Sequence, residues 1–419
     1  MKMCTKKSFV VPVLVALLKR QSLLLFGWLL LASPLALQAQ FNYTVTNGTI
    51  TITRYTGSGG VVVIPDTING LPVRVIGNQA FSYCTRLTSV TISSGVTNIE
   101  ALAFAYCTSL TNVIIPSSIT SIGVDAFYFC TSLASVTISS GVTNIREDAF
   151  AYCTSLANIT IPNSVTGIGG EAFYFCTSLT SVTISSAVTN IGRDTFAFCS
   201  SLTSITIPNS VTGIGLEAFS YCTRLTNVTI SSGVTDIGED AFYWCTNLTS
   251  ITIPNSVTGI GLEAFAECFS LTNITLGNGV TSIGDLAFGQ CTKLTSVYFQ
   301  GNTPSLGGTN VFYGDALTIY YLPGTTGWST IFGGAPTALW TLPFPLILNN
   351  TSAFGVQSNQ FGFTVSWATN LSVVVEASPT LSNPSWSPLI TNNLVGGSFY
   401  FSDPQWTKYP SRFYRVRSP

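Results

Sequence analysis

Ten cysteines, spaced every 23 residues from Cys84 to Cys291, are the side chains here most able to do chemistry. So many thiols in an exported chain could pair as disulfides. Stacked repeats would bring neighbouring Cα atoms to about 5 Å, within reach of that bond. The spacing matches neither C-x-x-C nor a zinc pattern. Each cysteine has a phenylalanine three residues before it and a leucine three after, from Phe81 to Leu294. Free cysteine is among the most buried residue types, so buried free thiols are expected. A second column holds acids two residues before each phenylalanine: Asp125, Asp148, Glu171, Asp194, Glu217, Asp240 and Glu263. Stacked carboxylates could collect Ca²⁺. An acid in a first helical turn also complements the helix dipole, and Arg146 and Arg193 dilute the charge. The structural reading is preferred, and no metal is expected. A third column stands just before the cysteines: Tyr83, Tyr106, Phe129, Tyr152, Phe175, Phe198, Tyr221 and Trp244. It points sideways or outward. Such a stripe could stack on sugars or a protein partner, or shield the edge of the core; both readings stay open. The candidate ligand-binding residues are Tyr83, Tyr106, Tyr152, Tyr221 and Trp244. Tyr298 joins them from a stretch that breaks the repeat, with Glu267, Phe269, Gln290, Lys293 and Gln300.

Catalysis finds little support. The chain has no histidine, which removes the commonest general base and metal ligand. It has no G-x-S-x-G and no P-loop. The acids of the column are copied from unit to unit, whereas a catalytic pair needs one unique spot. No enzyme, catalytic residue or cofactor is expected. Charged residues make up 8% of the chain, against roughly 25% in a typical domain. The net charge is −1, without a basic block, so no nucleic-acid partner is expected.

These columns need a repeating scaffold. Written from Phe81, the unit is F-x-x-C-x-x-L-x-x-[VI]-x-[IL]-x-x-x-[VI]-x-x-I-x-x-x-A, with exceptions such as Thr195 and Phe299. Leu87 to Ile92 alternates at its end like a short strand. Ala80, Phe81, Cys84 and Leu87 fall at three- and four-residue spacing, which suits one face of a short helix. Ser, Thr, Asn, Gly and Pro between them are turn residues. A single unit cannot bury its apolar side, so neighbours must stack. Nine intervals of about 4.8 Å predict a parallel sheet roughly 43 Å long. A period of 46 lies on top: TIPNSVTGIG occurs at 160–169, 206–215 and 252–261. Duplication of a two-unit block accounts for it.

The A-F-x-x-C-x-x-L and I-P-x-x-V-x-x-I-G strings, over about 64–300, resemble the BspA-like leucine-rich repeats of bacterial surface proteins. The resemblance implies an α/β leucine-rich-repeat solenoid, with a parallel sheet plus short helices. Characterised members of that family adhere to host-matrix proteins or to other cells, but their ligands do not carry over to this chain, because no ligand motif accompanies the repeat. Gly95, Ser118, Gly141 and Ser164 sit where the general leucine-rich pattern has a stacked Asn, so the turn must be held differently. An outward [SN]-x-T array, such as Ser204/Thr206, is similar to the faces of ice-binding solenoids. Threonine's preference for strands explains it as well, and ice binding is set aside.

Residues 1–39 read as an export signal, with Lys2, Lys6, Lys7, Lys19 and Arg20 before an apolar Leu23–Leu37 stretch and a cut after Ala39. The alternative is a retained anchor, although the apolar run falls short of the ~20 residues that span a bilayer. Residues 40–80 and 301–345 read as caps on the two raw edges, around a solenoid at 81–300. Residues 346–419 read as a small all-β domain, resembling C-terminal modules of secreted bacterial proteins. The expectation is therefore a secreted or cell-surface solenoid, without a transmembrane segment once the signal is cut. It would bind an extracellular protein or carbohydrate surface; the alternative is a passive envelope or matrix element.

Overall fold

The computed structural model describes residues 40–342, 344–349 and 354–419; the signal read at 1–39 lies outside them. The 23-residue unit forms one coil of a β-solenoid. Each coil carries a strand of three to five residues, such as Ser204–Ile207, and a two-residue strand, such as Gly213–Ile214. The longer strands pair in parallel with an offset of one unit, so that Ser204, Ile205, Thr206 and Ile207 face Asn227, Val228, Thr229 and Ile230. The register keeps identical positions in contact: Ile205 and Ile207 are buried, while Ser204 and Thr206 face outward. The short strands pair likewise, Gly213 and Ile214 with Asp236 and Ile237.

The expected short helices do not form. Between Gly77 and Leu87 the backbone makes tight turns, and two side-chain-bearing residues per unit are left-handed. The acidic position has φ near +53, as at Asp125 and Asp148, and the aromatic position near +59, as at Phe129 and Tyr152. Backbone donors then alternate in direction. Ala80, Ser82 and Cys84 donate within the coil, to the carbonyls of Gly77, Gln79 and Phe81. Gln79, Phe81 and Tyr83 donate to Ala101, Ala103 and Ala105 of the next coil at 2.7–3.1 Å. A helix would direct every donor along its own axis; coils stacked at strand spacing reward lateral bonds instead. The three-residue turns still aim Ala80, Phe81, Cys84 and Leu87 inward, which is why the spacing resembles a helical face. The acids therefore complement no helix dipole.

The core is a set of ladders. The repeat phenylalanines stack with centroids 4.8–5.5 Å apart. Tyr55 extends that column at one end and Phe312 at the other. The ten repeat cysteines are free; Cys107 through Cys291 are buried and Cys84 is half-buried. Each buried thiol donates to the phenylalanine carbonyl 26 residues earlier, Cys176 to Phe150 at 3.3 Å for example. Threonines do the work of the missing Asn ladder. Thr235 Oγ1 donates to the carbonyl of Thr212 at 3.0 Å and Thr258 to Thr235 at 3.2 Å. A second ladder runs from Thr226 to Thr203 and from Thr203 to Thr180.

At the N-terminal end, Phe41–Thr46 pairs antiparallel with Thr49–Tyr55, which continues into the short-strand sheet through Leu71–Ile76. At the other end, Ile331–Phe332 folds back antiparallel on Ala335–Leu339. Beyond it, two antiparallel sheets enclose a separate core with Phe363, Val365, Val373, Val375 and Phe401. Glu376 is buried there between Arg415 and Arg417 at 2.7 and 2.9 Å. Leu322, Trp340 and Leu342 from the end of the solenoid join this second core.

Candidate functional site

The left-handed backbone at the residue before each cysteine turns its side chain to the edge of the coil. There the lateral bonds, such as Tyr152 N–H to the Tyr174 carbonyl at 2.8 Å, hold it in register with its neighbours. The result is a continuous file of rings. Tyr83 and Tyr106 stack at 4.5 Å, Tyr152 and Phe175 at 5.2 Å, Phe198 and Tyr221 at 4.5 Å, and Tyr221 and Trp244 at 5.5 Å. From Tyr106 to Trp244 the rings are half-buried; Tyr83, at the open end, is 67% exposed. Phe269 closes the far end edge-on against Trp244. Ring faces cover one another, while the half-buried rings still reach solvent.

Tyr298 does not belong to this file. It lies on the longer-strand sheet, in register with Thr275 and Tyr320. There it stacks on Tyr320 at 5.1 Å and leans on Trp340 at 4.9 Å. The other repeat-breaking positions divide in the same way. Glu267 and Gln290 replace the aromatic residue at the end of the file, with its left-handed backbone retained. Gln300 follows Tyr298 out of the sheet.

Residues missed in the sequence flank the file. Tyr128, Tyr174 and Tyr243 pack edge-on between its members, Tyr128 against both Tyr106 and Tyr152 at 5.5 Å. The Tyr243 hydroxyl donates to Glu267 at 3.1 Å. Burial and then that contact push it up to about 12. Tyr128 and Tyr174 are two units apart, so the 46-residue period was the available signal.

The acidic column behaves as one crowded group. Carboxylate oxygens of Glu147, Asp148 and Glu171 lie within 4.8 Å of one another. Burial first, then the charges of Glu171, Asp125, Glu147 and Asp194, push Asp148 up to about 7. Asp194 is buried and paired to Arg193 at 2.7 Å. Proton uptake and this arginine relieve the repulsion.

A family model described as the BspA type leucine rich repeat region, in 6 copies, matches residues 74–203 and 189–318. No curated protein matches the chain. Among solved structures, a leucine-rich repeat protein from Bacteroides ovatus is 25% identical, over 67% of this chain and 93% of its own, with a TM-score of 0.44. A leucine rich cell surface protein from Faecalibacterium prausnitzii is 28% identical, over 63% and 94% of the two chains, at 0.35. The leucine rich repeat protein of T. pallidum is 30% identical over 56% and 88%, at 0.37. Among the described residues no helix is long and apolar enough to cross a membrane.

Proposed function

The chain belongs to the BspA type leucine rich repeat family, matched over more than half its length, and on that premise we propose that it is a non-enzymatic, exported solenoid whose aromatic file binds an extracellular protein. The observation that carries this reading is the uninterrupted file of half-buried rings from Tyr106 to Trp244. Rings covered by stacked or tilted neighbours leave little free face to a sugar along the file. Their edges and the clefts between them suit apolar and aromatic side chains, which dominate protein interfaces. The absence of histidine and the repetition of the column acids from unit to unit support a non-catalytic role. The charged and apolar pattern of residues 2–39 supports export to the surface or medium.

The test is a matrix-protein and glycan binding screen with residues 40–419, repeated with Tyr152, Tyr221 and Trp244 changed together to Ala. The expected result is a protein ligand that the triple variant no longer binds while it remains folded. Each lost ring pair costs about 0.5–1.5 kcal/mol beyond area, so a lowered Tm is expected as well. A folded triple variant that binds as before overturns the reading. One specific observation favours the passive-scaffold alternative: the rings satisfy one another without a ligand. That alternative expects no ligand in the screen.

A further inference from the structure

A cleft of ≈ 580 Å³ opens where the aromatic file begins. Tyr83 lines it. One face of this ring is covered by Tyr106, 4° from parallel at 4.5 Å. Among the described residues no ring stacks on the other face, and Tyr83 is the most exposed member of the file. A glycine turn at Gly57, Ser58 and Gly59 lines the cleft as well. Gly59 and Gly60 hold φ of +91 and +80, so side-chain-bearing residues would be strained there. Gly59 N–H donates to the Tyr55 hydroxyl at 3.3 Å, and Gly60 N–H to the Arg86 carbonyl at 2.7 Å. A Cβ on Gly59 would stand 2.7 Å from the Arg86 main chain. Gly59 thus lies against Arg86 in a way only glycine permits, and its hydrogen bond, with that of Gly60, fixes this side of the cleft.

Its charge has one sign. Arg54 and Arg86 line it together with Ser58, Asn78, Ser82 and Thr85, and no acid does. Among the described residues Arg193, Arg412, Arg415 and Arg417 pair with acids; Arg54 and Arg86, like Arg74, Arg146 and Arg224, form no ion pair. Guanidinium groups favour carboxylate and sulfate by two-pronged hydrogen bonding. An open aromatic face favours the C–H face of a pyranose, and the hydroxyl and amide groups suit its hydroxyls.

We propose that this cleft binds an acidic saccharide, with the sugar ring on the free face of Tyr83 and its anionic group on Arg54 and Arg86. The proposal goes beyond the protein-binding reading of the file, since it needs only the open end. Calorimetric titration of residues 40–419 with a hyaluronan tetrasaccharide (carboxylate), a heparin tetrasaccharide (sulfate) and neutral cellotetraose tests it. At least one acidic sugar should bind, more weakly as salt rises, and cellotetraose should bind at least about tenfold more weakly, a difference of about 1.4 kcal/mol. Tyr83→Phe should keep the affinity within about twofold. Tyr83→Ala, Arg54→Gln and Arg86→Gln should each lower it about tenfold or more. The Tyr152, Tyr221, Trp244 triple variant should bind the sugar unchanged, which separates failure here from failure of the file. The proposal is overturned if neither acidic sugar binds by about 1 mM, if the neutral sugar binds equally, or if the arginine or Tyr83→Ala variants bind as the parent does.

Discussion

Asp148 shows what stacking does to one side chain. Burial and neighbouring carboxylates hold it near 7 in the folded chain, whereas an unfolded aspartate titrates near about 3.9. Between those values the folded state holds the extra proton, so stability falls as pH rises through that window. Asp240, pushed up to about 6, and Asp315, to about 7, act in the same direction. Glu376 is held low by Arg415 and Arg417, and its contribution is lost only below the usual carboxylate range. Tm should therefore be higher at about pH 5.5 than at about pH 8. Asp148→Asn should raise Tm at the higher pH and narrow the gap; a parent Tm that climbs steadily over that range would contradict the assignment. Cys176 is a second case. An apolar column alone makes serine worse than alanine there, because a buried hydroxyl without a partner costs about 1–3 kcal/mol. The Phe150 carbonyl already accepts the thiol, so Cys176→Ser is expected to unfold within about 1 kcal/mol of Cys176→Ala in denaturant melts. A serine variant far below alanine would show that the carbonyl gives it nothing.

At the scale of the element, the turn stack takes the place of a helix, and its left-handed residues are its weak points. A side chain in that region costs about 1–2 kcal/mol, and the lateral bonds on either side hold it there. Asn tolerates this conformation and β-branched residues do not. At Glu217, with φ +54, substitution by Asn should leave the denaturation midpoint close to the parent's. Substitution by Val should lower the midpoint clearly, because a branched Cβ is disfavoured at this φ beyond the cost Glu217 already bears. Equal midpoints for the two variants would mean that the backbone there is not left-handed. The hydrophobic spacing made this stretch legible as something that buries Ala, Phe, Cys and Leu. It did not separate helix from stacked turn, because both present the same face at three- and four-residue spacing.

The solenoid, which makes up most of the molecule, is one-dimensional: each coil touches its neighbours in register, and the same ladders run along its length. Stability in such an array is close to a sum of unit and interface terms. Removing residues 140–185, a two-unit block, joins Ser139 to Ser186 at equivalent positions. The shortened chain should fold and melt cooperatively, with a smaller enthalpy. Removing only 140–151 breaks the register of the phenylalanine and cysteine ladders, and that chain should aggregate or melt without a cooperative transition. If both deletions behave alike, the in-register ladders are not what holds the solenoid together.

The spacing of Phe, Cys and Leu determined by itself that the chain is a stacked 23-residue repeat, which strand residues face inward, and that the cysteines sit on the buried side. Local periodicity carries that information, because burial is decided position by position. Which way the backbone donors of the turn point, and that the Cys176 thiol meets the Phe150 carbonyl, were decided only when coils lay against coils. The same holds for the candidate site. The aromatic column was visible in the letters, but the separation of Tyr298 from it, the covering of each ring by the next, and the meeting of Arg54, Gly59 and Tyr83 in one cleft depend on contacts between residues 22 or more positions apart, or across an insertion that breaks the period. No local pattern encodes such distances; the stacking of the coils sets them.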